Sequence, residues 1–581
     1  MEVSSENDYL EFWKNVAENN PFFTVLVQSQ AKDLAEQLSI TNDTFSAMSP
    51  ATTTEWIQNV LKYQSEMAQL WLGSLANTKE ATPEPSRDPR FRGDAWNEGV
   101  FPFLRMSYEI AANTMVEMAD KAGLPAHEQR KFSFYARVAA DAMAPSNYPS
   151  TNPEVLKLAQ ETQGQSLVDG FQNVLRDLKK GYITTSDESA FEVGKNLATT
   201  PGSVVFRNEL VELIQYKPMT DQVNSTPILI VPPCVNKFYI FDINEKKSMV
   251  RYLLEHGNSV YIVAWRNPGA ELVDYGWDEY ILKGIISAFE ACSEVDKAEQ
   301  IHMMSWCNGG TMQLAALSVF PDELNKKVAS ATFLSSMIDF SDPGGIEVFI
   351  DKPQFKVYKN RMKTAKVVPG RDIAQAMAML HVNESIWNFV VNNYLMGKAS
   401  RPFDILHWNA DTSNLPVAWF SYYIQEMYVA NKLMEAGALT LLGRPVDTRN
   451  IKVPCYFVAA TDDHIVPWKT SYVATALVTG DTEFVLTDGG HVSGTVINHP
   501  VKSRRSFLTD GQNDQDADGW KETASKTDGS WWNHWLEWLG ENSSDKTRTA
   551  PNKLGSKAYP PLADAPGTYV VEQVPQDGRL F

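Results

Sequence analysis

The first third of the chain carries apolar residues at helical spacing. They recur every three or four positions in two clusters: Tyr9, Phe12, Trp13 and Val16, and then Trp56, Val60, Leu61 and Tyr63. This spacing places apolar side chains on one face of an amphipathic helix. A proline-rich stretch at 82–92 interrupts the pattern, which resumes from Trp96 to about Leu178. We therefore predict a mostly helical N-terminal domain over residues 1–195.

From about residue 200, short β-rich runs alternate with helical stretches. Six such runs stand out, at 227–231, 259–264, 301–304, 331–334, 453–458 and 482–486. Strands that alternate with helices indicate βαβ units and a mostly parallel sheet that is buried on both faces. We therefore predict an α/β catalytic domain over residues 196–581.

The fourth and fifth runs are too far apart for a single crossover helix. The intervening sequence is rich in helical pattern and in aromatic residues, and it begins near Asp339. We predict that this insertion, at about 340–445, forms a helical cap over the carboxyl edge of the sheet.

Composition narrows the class of protein. The chain has 581 residues, which favours two domains, and a net charge of −19, which argues against a nucleic-acid partner. The first residues are acidic without the basic start of a signal peptide, and no apolar stretch is long enough to span a membrane. Four cysteines without paired spacing predict reduced thiols and no metal site. We expect a cytoplasmic protein with no transmembrane segment.

The run 301–304 leads into the sequence Ser305-Trp306-Cys307-Asn308-Gly309-Gly310. A nucleophile elbow needs a strand, a sharp turn that exposes the nucleophile, small neighbours and then a helix. Cys307 occupies the nucleophile position and Gly309 is the small residue after it, whereas Ser305 stands where glycine is usual. The alternative is a buried structural cysteine.

Candidates for an acid and a base follow the last two runs. Asp462 and Asp463 come after the fifth run, and His491 comes after the sixth in a glycine-rich turn. Nucleophile, acid and histidine in this order, each after a strand, are typical of the α/β-hydrolase fold. Either aspartate could instead cap a helix, and His491 could be a turn residue.

The oxyanion donors should lie beside the nucleophile. The backbone N–H of Asn308 is the first candidate, and the second should come from the loop 231–237 after an earlier strand, where we choose Val235. Cys234 in that loop has no neighbouring base, so we interpret it as structural.

Together these segments resemble the polyhydroxyalkanoate synthases, in particular the long, single-subunit kind. The matching segments are Val231-Pro232-Pro233-Cys234-Val235-Asn236-Lys237-Phe238-Tyr239-Ile240, Trp265-Arg266-Asn267-Pro268, Trp306-Cys307-Asn308-Gly309-Gly310-Thr311, Leu406-His407-Trp408-Asn409, Asp463-His464-Ile465-Val466-Pro467-Trp468 and Gly490-His491-Val492-Ser493-Gly494. The similarity covers roughly residues 85–575.

The resemblance implies an α/β-hydrolase fold with a helical cap and a Cys307–His491–Asp463 triad, and it selects Asp463 over Asp462. It implies that Cys307 carries the acyl group of (R)-3-hydroxyacyl-coenzyme A as a thioester during polymerisation, with release of coenzyme A and no cofactor. It also implies a homodimer at the surface of a polyester granule. The family usually has Gly-x-Cys-x-Gly-Gly with Ile or Val after the cysteine, so Ser305 and Asn308 are departures.

Two groups of residues are candidates for substrate binding. Trp408, with Trp419, Tyr422 and Tyr423, could exclude water from the site, or it could belong to the core of the cap. Lys359 and Arg361 lie in a basic run that could bind coenzyme A phosphates, or that could be a solvated helix face: Lys352, Lys356, Lys359, Arg361, Lys363 and Lys366.

A further aromatic cluster lies near the C-terminus: Trp531, Trp532, Trp535 and Trp538. We predict that it packs as a helix rather than facing a granule. Two other functions remain open at this point, a cysteine-dependent thioesterase of the same fold and a non-catalytic granule scaffold.

Overall fold

The computed structural model describes residues 50–75, 86–512, 516–544 and 546–574. The predicted helical cluster Tyr9–Val16 lies outside them. The described residues form two compact units: the first runs to Thr185 and includes Ala378–Arg401, and the second comprises the rest. The domain boundaries predicted at 195 and 196 stay a prediction. None of the described helices combines the length and the apolar character needed to cross a bilayer.

Helices make up the first unit. Their bounds are α1 (Pro50–Leu75), α2 (Phe101–Asp120), α3 (Ala126–Ala142), α4 (Pro153–Glu161) and α5 (Gln165–Lys180), with π-helical turns at Asn383–Trp387 and Val390–Leu395. The buried Asp177 carboxylate accepts hydrogen bonds from Thr184 Oγ1 at 2.6 Å and from Tyr394 Oη at 2.8 Å. This contact ties α5 to a segment more than 200 residues away in sequence.

The strands are these: β1 (Gly202–Arg207), β2 (Val211–Tyr216), β3 (Gln222–Asn224), β4 (Ile228–Val231), β5 (Val260–Trp265), β6 (Ile301–Trp306), β7 (Val328–Leu334), β8 (Val367–Val368), β9 (Leu415–Pro416), β10 (Thr440–Leu441), β11 (Arg444–Pro445), β12 (Cys455–Ala460), β13 (Thr482–Thr487), β14 (Ser506–Thr509), β15 (Ser525–Asp528), β16 (Thr547–Thr549) and β17 (Ala563–Asp564). Within the described residues, eleven of them form one sheet in the order β15-β14-β13-β12-β7-β6-β4-β5-β2-β1-β17.

The middle of this sheet is parallel. β13, β12, β7, β6, β4 and β5 pair in parallel, whereas β2, β1 and β17 on one side and β14 and β15 on the other are antiparallel. Every residue of β4, β5, β6, β7 and β12 is buried, which explains why their sequences are mostly apolar. The six predicted runs are these six parallel strands, so the α/β prediction is confirmed.

The remaining helices surround the sheet or lie between β7 and β12. Their bounds are α6 (Met249–Glu255), α7 (Trp277–Glu279), α8 (Ser287–Asp296), α9 (Asn308–Val319), α10 (Asp322–Asn325), α11 (Lys352–Met362), α12 (Gly370–Met379), α13 (Asp404–Ala410), α14 (Val417–Tyr422), α15 (Trp468–Val473), α16 (Ala517–Thr523) and α17 (Trp531–Glu541). π-Helical turns occupy Tyr280–Ile286, Tyr423–Val429 and His491–Val496.

The strand order determines where a site can form. β4 lies between β5 and β6, so the connections that follow β4 and β6 leave the sheet at a switch point of the topology. In open α/β sheets, ligands bind at the carboxyl ends of the strands at such a point. The loops after β4, β6, β12 and β13 all lie at this edge because these strands are parallel.

Candidate active site

Cys307 lies in a strained turn between β6 and α9. Its backbone has φ 55° and ψ −133°, a conformation that a residue with a side chain rarely adopts. The Cys307 N–H donates to the Leu334 carbonyl at 3.0 Å, which anchors the turn to the neighbouring strand β7. The side chain is partly exposed. This geometry is that of a nucleophile elbow, in which strain holds the reactive atom out of the strand.

Small residues around the turn allow close packing. A Cβ atom at Gly309 would lie 2.6 Å from the Val231 carbonyl oxygen and 2.7 Å from that of Pro232. Ser305 is fully buried, and its Oγ donates to the Thr332 carbonyl oxygen at 3.1 Å. Ser305 therefore fits its site with its hydroxyl satisfied, although glycine is usual at this position of a nucleophile elbow.

The acid and the histidine lie in contact. His491 Nδ1 is 2.7 Å from Asp463 Oδ2, and both residues are buried. The other oxygen of this carboxylate accepts hydrogen bonds from the N–H groups of Ile465 at 3.0 Å and Val466 at 2.9 Å. Asp462 is exposed. Of the two candidates, the structure therefore brings Asp463 to the histidine.

The electrostatics of this pair follow from its contacts. Burial acts to raise the pKa of Asp463, but the His491 ring and the hydrogen bonds to the carboxylate outweigh burial and lower that pKa. On His491, burial acts to lower the pKa. The Asp463 carboxylate and the Cys307 sulfur outweigh it and raise the pKa of His491 to about 10. All three predicted triad members therefore interact.

Aromatic rings support the histidine from one side. The Trp306 and His491 rings are 4.9 Å apart at 32°, and the Trp306 and Trp408 rings are 6.0 Å apart. Trp408 is buried and its Nε1 donates to the Lys237 carbonyl at 2.8 Å. Trp408 therefore packs behind the site, two rings from His491, and its predicted role in substrate binding stays a prediction.

The C-terminal helix α17 supports the turn that carries His491. Trp531 Nε1 donates to the Gly494 carbonyl at 3.0 Å, and Trp532 Nε1 donates to the Thr495 carbonyl at 3.3 Å. Trp531, Trp532 and Trp535 are fully buried, as predicted for a packed helix. Their contact with the catalytic turn was not predicted, because no sequence pattern connects α17 with His491–Val496.

The loop after β4 approaches the N-terminus of α9. Its Cys234 N–H donates to Asn308 Oδ1 at 3.2 Å, and its Val235 carbonyl accepts from the Ser413 N–H at 3.1 Å. Cys234 is buried, and burial raises the pKa of its thiol, which supports the structural interpretation. The structure thus places both predicted oxyanion residues, Asn308 and Val235, beside the Cys307 turn.

Two tyrosines on the π-helical turn Tyr423–Val429 pack against each other. The Tyr423 and Tyr428 rings are 5.3 Å apart, and Phe340 lies 4.8 Å from Tyr428. Burial raises the pKa of both hydroxyls, and the Cys307 sulfur adds to the increase. Tyr428 was not predicted because five-residue spacing places it beside Tyr423 only in a π-helix.

The other aromatic candidates lie in the core. Trp419 is fully buried and stacks on Trp277 with 5.8 Å between ring centroids at 23°. Tyr422 packs against the same Trp277 at 5.5 Å. These two residues fit the alternative interpretation, in which aromatic residues of the insertion form a hydrophobic core.

The basic run forms the exposed face of α11 and the turn after it. Lys359 and Arg361 are exposed, whereas Phe355 and Met362 on the same helix are buried. Ser421 Oγ lies 3.5 Å from Met362 Sδ, so the apolar face of α11 packs against α14. This arrangement fits a solvated helix face, and phosphate binding by Lys359 and Arg361 stays a prediction. No group of three metal-ligating side chains occurs among the described residues.

Two family models match parts of this chain. A family model described as the N-terminus of poly-beta-hydroxybutyrate polymerase (PhaC) matches residues 87–253, and one described as the alpha/beta hydrolase fold matches residues 227–494. A hydrolase structure from Pseudomonas aeruginosa PA01 aligns with 51% of this chain and 93% of its own at 11% identity, with a TM-score of 0.31. The fold assignment rests instead on the family model and the sheet order.

Three relatives align over most of their length. Poly(3-hydroxyalkanoate) polymerase subunit PhaC of Cupriavidus necator is 39% identical, over 88% of this chain and 87% of its own. Poly(3-hydroxyalkanoate) polymerase of Methylorubrum extorquens is 35% identical, over 88% and 86%. Poly(3-hydroxyalkanoate) polymerase 1 of Ectopseudomonas oleovorans is 36% identical, over 89% and 91%. The chain is therefore an enzyme, an acyltransferase that belongs to the poly(3-hydroxyalkanoate) polymerase family.

Proposed function

We propose that the enzyme polymerises (R)-3-hydroxyacyl-coenzyme A through a covalent thioester on Cys307. The observation that carries this proposal is the 2.7 Å contact between His491 and Asp463, next to a cysteine in a strained elbow. The names of the relatives support the substrate class.

In the first half-reaction, the proton of the Cys307 thiol resides on His491, whose raised pKa favours the imidazolium, and the sulfur attacks the thioester carbonyl of the substrate. A new carbon–sulfur bond forms, the bond to coenzyme A breaks, and the leaving thiolate takes the proton back from His491. The Asp463 carboxylate stabilises the imidazolium in between and fixes the ring tautomer. A free thiol has a pKa of about 8.5 and is mostly protonated at neutral pH, so it needs such a base.

In the second half-reaction, the 3-hydroxyl of another acyl unit attacks the Cys307 thioester. His491 accepts the hydroxyl proton, an oxygen ester forms, and the proton returns to the released cysteine sulfur. The chain grows by one unit. Because the nucleophile is sulfur, the intermediate it carries is a thioester, which stays reactive toward the next hydroxyl.

Water is the competing nucleophile, and its access separates a polymerase from a thioesterase of the same fold. The packed rings of Tyr423 and Tyr428, whose pKa values the Cys307 sulfur raises, are suited to limit that access. The site geometry alone is compatible with both reactions. The family assignment favours polymerisation and disfavours a non-catalytic scaffold.

The test is incubation of the purified enzyme with (R)-3-hydroxybutyryl-coenzyme A, with free thiol and polymer both measured. We expect thiol release together with an insoluble polyester, and neither from Cys307→Ala. Free 3-hydroxybutyrate as the sole product would show a thioesterase instead. The same assay across acyl lengths gives the side-chain preference.

Homodimer formation and attachment to a polyester surface belong to the same proposal. Both can be measured on the active enzyme, by sedimentation in solution and by cosedimentation with preformed polyester particles.

A further inference from the structure

The Asn308 side chain points back to the loop after β4 instead of capping its own helix. Its Oδ1 accepts the Cys234 N–H at 3.2 Å, and Cys234 Sγ lies 4.0 Å from the same oxygen. Asn308 is 4% exposed. Because a backbone N–H can only donate, it requires the oxygen end of the amide, so this contact also settles the orientation of the side chain.

The sequence of that loop leaves few donors. Pro232 and Pro233 have no N–H group, and the Cys234 N–H is used by Asn308. Val235 follows and is partly exposed, and its N–H makes no hydrogen bond to a described residue. Val235 therefore carries the first unused N–H after β4.

The N-terminus of α9 provides the second unused donor. Asn308 is the first residue of this helix, and the N–H groups of the first helical turn have no partner within the helix. The Asn308 backbone thus offers one oxyanion donor, and its side chain holds the loop next to the other donor, at Val235.

We propose that Asn308 is a positioning residue, whose side-chain amide sets the place of the Val235 N–H relative to Cys307 and so preorganises the site for the thioester oxyanion. The inference rests on the proposed function, because it assigns the oxyanion of that reaction. Preorganised donors stabilise the charge that develops in the transition state without reorganisation at the moment of reaction.

Other contacts also hold this loop, but each reaches a different part of it. Trp265 Nε1 donates to the Pro232 carbonyl at 2.9 Å, and the Ser413 N–H donates to the Val235 carbonyl at 3.1 Å. The Asn308 contact joins the loop to the element that carries the nucleophile.

The first test measures hydrogen exchange of individual amides in the free enzyme. We expect slow exchange at Cys234 and fast exchange at Val235. In Asn308→Leu, which keeps the size but loses the acceptor, the Cys234 amide should exchange faster. In Asn308→Asp, which keeps the acceptor, it should stay slow. Fast exchange at Cys234 in the wild type, or slow exchange in Asn308→Leu, would overturn the proposal.

The second test is a single-turnover measurement of coenzyme A release. Loosening the loop should lower the acylation rate of Asn308→Leu by about tenfold with KM unchanged, because the donors act on the transition state. Ser318→Ala is the control, since Ser318 lies in the same helix and its Oγ donates to the Leu314 carbonyl of that helix, at 3.0 Å. An unchanged rate, or a rise in KM alone, would rule out positioning.

These outcomes are distinct from failure of the proposed function. If the wild type releases no coenzyme A, the polymerase proposal fails, while hydrogen exchange still reports whether Asn308 holds the loop.

Discussion

The Asp463 carboxylate contacts the Nδ1 side of the His491 ring at 2.7 Å, and two backbone N–H groups hold its other oxygen. The ring is therefore fixed with its Nε2 side free for the nucleophile. The neighbouring Asp462 is exposed and makes no such contact with the ring among the described residues.

Asp463→Asn should lower kcat by about 10³- to 10⁴-fold, because the amide cannot stabilise the imidazolium or fix the same tautomer. The pKa of His491, raised to about 10 in the native site, should fall. Polymerisation kinetics and an NMR titration of the His491 ring measure the two effects. Asp462→Asn is the matched control and should change kcat by less than about twofold; equal losses in the two variants would contradict the assignment.

His302 predicts a pH dependence of stability. It is buried between Ser330 Oγ at 2.7 Å and Ser543 Oγ at 2.9 Å, and burial lowers its pKa from 6.5 to about 3. Between about pH 3 and pH 6.5, His302 is protonated in the unfolded chain but not in the folded protein. Stability should therefore fall as the pH decreases from 6.5 toward 3, by about 1.4 kcal/mol per pH unit from this residue.

Denaturant unfolding of the wild type and His302→Gln at several pH values measures this dependence. The variant should be less stable at neutral pH. Its free energy of unfolding should also depend less on pH, with a slope smaller by about 1.4 kcal/mol per pH unit, which corresponds to one proton. Parallel curves for the two proteins would show that His302 does not titrate as expected.

Gly309→Ala should inactivate the enzyme. The added Cβ would meet two backbone oxygens of the loop after β4, at 2.6 and 2.7 Å, so either α9 or the loop must move. We expect a loss of about 1–3 kcal/mol of stability and about 10²-fold in kcat. In Gly540→Ala nothing lies within 4 Å of the new Cβ, and helix propensity should raise stability by up to about 1 kcal/mol.

Trp531→Phe removes the donor to the Gly494 carbonyl in the turn that carries His491. Asn498 Nδ2 also donates to this carbonyl, at 3.2 Å, so loss of the Trp531 hydrogen bond should cost about 0.5–1.5 kcal/mol of stability and lower kcat by about tenfold. Trp535→Phe removes a hydrogen bond of similar kind, to Thr332 Oγ1 at 2.9 Å, away from the turn. Trp535→Phe should lower the free energy of unfolding by a similar amount and leave kcat nearly unchanged. Thermal unfolding and polymerisation rates of both variants separate these effects.

The sequence was sufficient to predict the centre of the sheet but not its edges. The central strands are buried on both faces and therefore have mostly apolar sequences. The edge strand β15, Ser-Lys-Thr-Asp, is exposed at every residue, and the edge strand β17 has only two residues. Such strands form because a neighbour offers unpaired backbone groups, and their own sequences carry no matching signal.

The same distinction holds in the site. Cys307 and His491 could be predicted because each follows a strand in a fixed order, whereas that order left Asp462 and Asp463 open and the family resemblance selected Asp463. The contact of Asn308 with Cys234 joins residues 74 positions apart and depends on two prolines that remove competing donors. The approach of Tyr428 to Tyr423 depends on a π-helical turn, which ordinary helical periodicity does not reveal.

The position of α17 in the chain has a consequence for biosynthesis. A ribosome completes Cys307, Asp463 and His491 before it makes the tryptophans that hold the histidine turn, and β17 closes against β1 later still. A nascent chain therefore contains Cys307, the proposed nucleophile, before the turn that carries the proposed base His491 is held by α17. On the proposed mechanism, we expect that polymerisation begins only after translation has passed α17, and that products truncated before this helix are inert and do not consume acyl-coenzyme A.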